Sequence, residues 1–352
     1  MKITILAYLE ADAKEPDIVM PQVARALETA GHKPTIVTIH DDAAEIVQGI
    51  RASKPDLVIN LVEAFADDIL GGLMGVTGLL DLLQVPYTGG GPGELYLQED
   101  KALSKKLLAY EQVLYPDFAS FAPSSADFET GGNLRMPLFV KPARMDASLG
   151  IDEKSLVRNS RELMERVAFI HKTFGDTALA EEYIEGREFY VAVLGNEHPV
   201  AFPPIEMDFS GLPDGSVRIM DNEAKFDESS DRYQGTKAVI ADVDPELKAR
   251  LQQVSLDAYR ALRVRDYGRI DLRLTETGQL YVIEVNASCY LEETSEFAMA
   301  AAAARLDYAT LINRIPELAL ERWNHRTAVK KKRKRAAARA DAKLRKDAAK
   351  KE

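Results

Sequence analysis

Residues 1–98 alternate between two hydrophobic periods. Lys2–Leu9 is apolar at most positions and predicts a strand, and Pro21–Ala30 carries apolar residues at helical spacing until Gly31 ends the run. Thr35–Ile39 predicts a second strand, Glu45–Ser53 a second helix, and Leu57–Val62, apolar at every position but Asn60, a strand of the kind buried on both faces. Ile69–Leu83 predicts a further helix. Strands separated by helices imply an open α/β domain with a parallel sheet. Thr88-Gly89-Gly90-Gly91-Pro92-Gly93 then reads as a flexible connection, and the boundary is placed there. The same glycines beside a nucleotide could also line a site.

Beyond the glycines, Lys101–Tyr110, Pro245–Leu262 and Phe297–Leu311 predict helices. Two runs near the end of the apolar part have strand periodicity. In Arg269-Ile270-Asp271-Leu272-Arg273 the charged residues share one face, and in Leu280–Asn286 so do Val282, Glu284 and Asn286. Glu276-Thr277-Gly278-Gln279 between them supplies a turn, so the two strands form a hairpin. Pairing them gathers Asp271, Glu284 and Asn286 into a patch of hard oxygen ligands. Such a set suits Mg²⁺, which takes one or two carboxylates plus substrate phosphates. The other reading is a salt-bridged sheet face, since Arg269 and Arg273 lie beside the acids.

The chain of 352 residues is long enough for two or three domains, and 46% hydrophobic content fits a globular protein. Its single cysteine, Cys289, excludes an intramolecular disulfide framework and fits a reducing cytoplasm; it reads as a small core-lining thiol. The chain enters its first strand directly, without a signal peptide, and no apolar run approaches the length of about 20 residues that spans a bilayer. A cytoplasmic protein is expected. The net charge of −11 conceals a split: residues 330–352 carry twelve Lys/Arg against Asp341, Asp347 and Glu352, leaving −20 for the rest. An acidic body argues against nucleic acid as the main ligand of the folded part. The basic tail, rich in Ala, Lys and Arg with no apolar stripe, cannot pack as a core helix. It reads as a solubilising extension, or as a tether to an anionic partner. Five His and one Cys leave little room for a zinc site or a nucleophilic triad.

Leu138-Phe139-Val140-Lys141-Pro142 is an apolar run ending in a lysine, followed after a polar loop by Leu149-Gly150-Ile151. Next comes the acidic run Glu181 to Glu188. This order, closed by Asp271 and Glu284-Val285-Asn286, resembles the ATP-grasp superfamily, and within it the D-alanine–D-alanine ligase branch. Pro86-Tyr87-Thr88-Gly89, Asp100-Lys101, Glu223-Ala224-Lys225 and Gly268-Arg269-Ile270-Asp271 add further matches in sequence order. The likeness spans about residues 1–320 and is specific mainly from Tyr87 onward. It implies an α/β chain with α+β lobes: an N-terminal open parallel-sheet domain over 1–98, a small ATP-grasp lobe over 99–187, a large lobe over 188–320, and a basic tail over 321–352.

The resemblance also implies roles. Lys101 and Lys141 bind the nucleotide phosphates, as a compact ammonium charge can. Without it, Lys101, opening a polar helix beside Lys105 and Lys106, reads as solvated. Glu181 approaches the adenine amino group, the backbone of Glu182, Tyr183 and Ile184 reads the ring edge, and Glu188 takes the ribose hydroxyls. Asp271, Glu284 and Asn286 hold two Mg²⁺ ions, with Mn²⁺ as a substitute. Arg269 stabilises the developing oxyanion, Lys225 contacts the terminal phosphate, and Ser148 survives from the loop after the Lys-Pro pair. The implied enzyme is an ADP-forming carboxylate–amine ligase working on amino-acid-like substrates, many relatives being homodimers.

Departures cluster on the substrate side. The loop reads Met145-Asp146-Ala147-Ser148-Leu149-Gly150, where relatives carry Glu-Gly-Ser-Ser-x-Gly. Glu182 stands where Lys is frequent, and Phe226 replaces a tyrosine. The stretch after Asn286 lacks a Pro-Gly turn, and Asn60-Leu61-Val62-Glu63 presents Glu63 where a histidine is expected. Glu63, Asp67, Asp68, Glu292 and Glu293 could therefore recognise a cationic amine, against the plainer reading that exposed acids are simply solvated. A carboxylate–amine ligase of other specificity, a true D-alanine–D-alanine ligase and a nucleotide-binding protein without turnover all remain open at this level.

Overall fold

The computed structural model describes residues 1–10, 16–65, 69–124, 128–130, 134–145 and 148–348. Asp67, Asp68, Asp146 and Ala147, and the side chain of Phe226, lie outside the described part.

The amino-terminal layer follows the alternation of the sequence. Strand β1 (Lys2–Tyr8), helix α1 (Val19–Thr29), β2 (Lys33–Ile39), α2 (Ala43–Ser53), β3 (Leu57–Asn60) and α3 (Ile69–Leu83) form a parallel sheet in the order β2-β1-β3. Asp42 caps α2 by accepting from the amide of Ala44. Strand β3 stops at Asn60, two residues before the expected end. Tyr87 then bridges Val58 in parallel, carrying the chain along the sheet edge.

The glycine run is a clamped connection, not a flexible one. Gly89 donates its amide to the Asp266 carboxylate at 3.0 Å and accepts from Arg265 at 2.7 Å. Gly90 donates to the carbonyl of Ala287. Helix α4 (Pro92–Glu99) starts inside the run, with proline in the first turn where its missing N–H costs nothing. Asp100 caps helix α5 (Lys101–Tyr110).

A five-stranded antiparallel sheet comes next. Its strands β4 (Phe118–Phe121), β5 (Phe128–Thr130), β6 (Leu138–Pro142), β7 (Leu156–Val157) and β8 (Ala178–Glu182) are ordered β5-β4-β8-β6-β7. Helix α6 (Ser160–Phe174) covers one face, where Val167 and Ile170 pack on Leu138, Val140, Ala178 and Ala180. Period-2 alternation therefore sends Phe139, Lys141 and Glu181 to the opposite face. Phe139 sits opposite Glu181 in register, and Lys141 opposite Leu179.

The last sheet contains β9 (Arg187–Leu194), β10 (Val200–Ala201), β11 (Ile205–Asp208), β12 (Lys237–Ile240), β13 (Tyr267–Leu274) and β14 (Leu280–Asn286) in the order β12-β11-β9-β13-β14, with β10 on β9. Short helices α7 (Asn222–Phe226) and α8 (Asp231–Gly235) lie between β11 and β12, and α9 (Pro245–Ala261) packs across the sheet. The hairpin expected from the sequence is β13–β14, with Asp271 opposite Glu284 and Arg269 opposite Asn286. Gly186 joins this sheet to the preceding one at φ +147°, and an added Cβ would stand 1.9 Å from the carbonyl oxygen of Leu274. Only glycine fits there.

Phe297–Leu311, expected as one helix, is two: α10 (Glu296–Ala303) and α11 (Tyr308–Ala348). Arg305 takes a left-handed conformation at φ +64°, and the Asp307 carboxylate accepts from the amide of Thr310 to start the next helix. One apolar core joins α1 and β1 to α10, α11 and the inner face of β9. From Lys330 to Lys334 helix α11 is exposed, in keeping with a tail that has no apolar stripe. Among the described residues, no helix is long and apolar enough to cross a membrane.

Candidate active site

The two antiparallel sheets face each other across a cleft of about 690 Å³. Ten residues singled out in the sequence line it: Lys141, Ser148, Glu181, Glu182, Tyr183, Ile184, Glu188, Lys225, Asp271 and Glu284. The other three are one contact away. Lys101 reaches Glu284 at 3.3 Å, Arg269 grips Asp271 through two nitrogens at 2.8 and 2.9 Å, and the Asn286 amide donates to Asp271 at 3.2 Å.

At one end, Glu181 is enclosed between Lys105 at 2.9 Å and Lys141 at 3.0 Å. Burial opposes its charge, but the two ammonium groups prevail and hold its carboxyl below the ordinary value. Lys105 is pushed down by burial, with Glu181 pulling the other way. Far from being solvated, Lys101 and Lys105 are buried. Their i,i+4 spacing on α5 puts them on one face, a signal that could have found Lys105 in the sequence. Glu182 accepts from the amide of Arg135 at 2.8 Å.

Glu188 accepts from the Tyr190 hydroxyl at 2.9 Å and from the Arg273 guanidinium, which also donates to the carbonyl of Arg218. Sequence reasoning saw Arg273 only as a neighbour of the acids and gave it no role. On the loop after β6, Ser148 takes φ +59° and donates its hydroxyl to the carbonyl of Met220, tying one wall of the cleft to the other.

The middle of the cleft holds the oxygen ligands. Burial would raise Glu284, but Lys101, Lys141 and Lys225 bring it to about 2. Burial pushes Asp271 up to about 6 against the pull of Arg269. Arg269, whose guanidinium lies 4.4 Å from the centroid of the Tyr190 ring, is held well above its ordinary value by Asp271 despite its own burial. Two carboxylates and one amide oxygen fit Mg²⁺, a hard cation that completes its shell with water and phosphate. Among the described residues no three His, Cys, Asp or Glu side chains form a ready cage. Such a site depends on oxygens that a substrate brings.

The family model for the D-Ala-D-Ala ligase C-terminus matches residues 110–317. This chain belongs to the D-alanine–D-alanine ligase family. A D-alanine–D-alanine ligase of Desulfotalea psychrophila is 34% identical over 73% of this chain and 79% of its own. An uncharacterized Sinorhizobium fredii protein, y4sG, is 32% identical over 86% of this chain and 87% of its own. The crystal structure of the Bacillus anthracis ligase complexed with ATP superposes with a TM-score of 0.70 at 21% identity, covering 92% of this chain and 99% of that one. The fold is therefore ATP-grasp.

The acids expected to meet an amine are divided. Glu292 accepts from Gln22 and from Thr294, and Glu293 pairs with Arg25 at 3.6 Å. Neither lines the cleft that holds Lys141 and Glu284. Glu63 lines a second cavity between β1, β3 and the segment after β14. Cys289 is buried there, its thiol pushed up to about 12 by burial, consistent with a core-lining group.

Proposed function

We propose that the protein is an ATP- and Mg²⁺-dependent ligase that joins a carboxylate to an amine through an acyl phosphate. The observation that carries this reading is the meeting of Lys101, Lys141 and Lys225 around Glu284, with Asp271 and Asn286 beside it. Three ammonium groups around so few ligand oxygens leave positive charge for a polyphosphate to neutralise.

Glu181, with the backbone of Glu182, Tyr183 and Ile184, would frame the adenine, and Glu188 the ribose. Lys101, Lys141 and Lys225 would hold the phosphates. Asp271, Glu284 and Asn286 would hold Mg²⁺, two ions or Mn²⁺ in their place. Bound there, the metal neutralises phosphate charge and aligns the terminal phosphoryl group. The substrate carboxylate oxygen attacks the γ-phosphorus, the bond to the β-phosphate oxygen breaks, and ADP leaves. The amine then attacks the acyl carbon, phosphate departs with the former carboxylate oxygen, and the nitrogen loses a proton to leave an amide. Arg269 would stabilise the oxyanion of that addition. Ser148, fixed to Met220, would keep the loop over the phosphates. Acid activation of this kind needs cations and no nucleophilic side chain.

A true D-alanine–D-alanine ligase is the second reading, favoured by the name carried by the Desulfotalea relative. A silent nucleotide-binding protein is disfavoured, because it has no chemical need for the whole set of cations and oxygen ligands. The test is Mg²⁺-dependent phosphate release from ATP with D-alanine and a panel of amino acids and amines, products followed by mass spectrometry. Amide formation with release supports the proposal. ATP binding with no release across the panel would favour the silent reading. The protein would act as a homodimer and its basic tail would bind an anionic partner, tested by light scattering and by salt-dependent binding.

A further inference from the structure

Arg273 stands opposite Glu188 in the β9–β13 register, on the face of β13 that also carries Asp271. Its buried guanidinium lines the cleft and serves three acceptors. Nη2 donates to Oε2 of Glu188 and, at 2.6 Å, to the carbonyl of Arg218, while Nη1 donates to the carbonyl of Gly186 at 3.4 Å. Gly186 lies in the connection between the two antiparallel sheets. Arg218 lies two residues before Met220, to which Ser148 is tied from the other wall. The Tyr183 hydroxyl donates to the same Arg218 carbonyl at 3.3 Å, and its ring centroid lies 5.6 Å from the guanidinium carbon. An ion pair that served only the sheet would need the carboxylate alone.

Glu188 is held at both of its oxygens. Oε1 accepts from the Tyr190 hydroxyl at 2.9 Å and Oε2 from Arg273. A carboxylate offers about four lone-pair sites, so each oxygen keeps about one for a further donor. Two neighbouring hydroxyls, the pair that a ribose presents, match that arrangement. A single hydroxyl leaves one acceptor unfilled, and a site built to bind a hydroxyl rejects the analogue that lacks it.

We infer that Arg273 is a positioning residue that sets this choice. It fixes the plane of the Glu188 carboxylate and pins Gly186 and Arg218 around it, so that the cleft takes a ribonucleoside triphosphate in preference to a deoxy one. The inference rests on the reading of Glu188 as the acid that meets the ribose. A planar guanidinium with five donors serves three acceptors on separate segments, which the point charge of a lysine does not reproduce. With Arg273 gone, only Tyr190 restrains the carboxylate, and its two open sites no longer face the sugar together.

The test is calorimetric titration of the full chain, in Mg²⁺, with ATP, 2′-deoxy-ATP and 3′-deoxy-ATP. The wild type should bind ATP about 10- to 100-fold more tightly than each deoxy form, the range for losing a hydrogen bond to a charged group. In Arg273→Met that ratio should shrink to within about threefold, because ATP affinity falls further than deoxy-ATP affinity. Arg273→Lys, which keeps the charge but not the fork, should stand between the two. Adding Arg273→Met to Glu188→Ala should change the ratio no further, since the arginine acts through the carboxylate. Arg187→Met, which removes a more exposed arginine from the same strand as Glu188, should leave the ratio unchanged. Should Arg273→Met fail to fold, Arg273→Lys carries the test. An unchanged ratio in the Arg273 variants, with all affinities lowered alike, is what a merely structural ion pair gives; it would overturn the inference and leave the nucleotide site standing. A wild type indifferent to either hydroxyl would overturn it together with the assignment of Glu188 to the ribose. No binding of any of the three would overturn it along with the ligase reading.

Discussion

Glu181→Gln removes the carboxylate that Lys105 and Lys141 share. All three side chains are nearly closed off, at 3%, 2% and 6% exposure. Removing one partner of a buried ion pair costs about 3–5 kcal/mol, because the other charge is left without compensation. Proton loss sets a ceiling. A lysine with an ordinary value of 10.5 can shed its proton at pH 7 for about 5 kcal/mol, each pH unit being worth about 1.4 kcal/mol. The variant should therefore be about 3–5 kcal/mol less stable at pH 7. Lys105 is already pushed below its ordinary value by burial, and without Glu181 it falls further. The unfolded chain then holds a proton that the folded variant lacks, so stability rises with pH between the folded and unfolded values. The variant's deficit should narrow from pH 7 to pH 9. Urea titrations followed by circular dichroism at pH 7, 8 and 9, wild type beside variant, measure this. A deficit below about 1 kcal/mol at pH 7, or one that widens with pH, would contradict a buried carboxylate shared by the two lysines.

Asp266, fully buried, receives Arg322 at 2.7 and 2.9 Å, the Gly89 amide and Asn196. Asp266→Ala should cost about 3 kcal/mol, the low end for a broken pair because Arg322 keeps some solvent contact, and adding Arg322→Met should recover part of it in denaturation midpoints. Cys289, with its thiol at about 12, should react with Ellman's reagent at pH 8 about a thousandfold more slowly in the native protein than in urea; equal rates would contradict its burial. Deleting residues 330–352 should lower the salt needed to elute the protein from heparin while leaving its denaturation midpoint unchanged, and unaltered elution would remove the tether.

The alternation over residues 2–83 was legible because each strand and helix there has an unmixed hydrophobic period. The β13–β14 hairpin was legible because Glu276–Gln279 supplies the turn while Asp271, Glu284 and Asn286 keep strand alternation. The helix break near Arg305 was hidden, since a left-handed arginine leaves none of the signal that glycine would. The glycine run misled for a related reason. Its composition permits flexibility, and only the distant Asp266, Arg265 and Ala287 hold it in place. Long-range pairing also explains the missed site residues. Nothing near Arg273 in sequence announces Glu188, and the i,i+4 spacing that marks Lys105 beside Lys101 does not announce its partner Glu181. The acids proposed for an amine were chosen by charge and by their place at departures from the family pattern. Glu292 and Glu293 proved to be engaged with Gln22, Thr294 and Arg25, while Asn60, uncharged and unremarked, turned out to line the second cleft.

In the proposed reaction a substrate carboxylate is activated by phosphoryl transfer. The most direct measurement is to label that carboxylate with ¹⁸O, using the acid that supports phosphate release, and to weigh the phosphate by mass spectrometry. One ¹⁸O is expected in each phosphate released, with both release and transfer lost in Glu284→Gln. Phosphate released without label, under conditions where amide forms, would contradict that reaction.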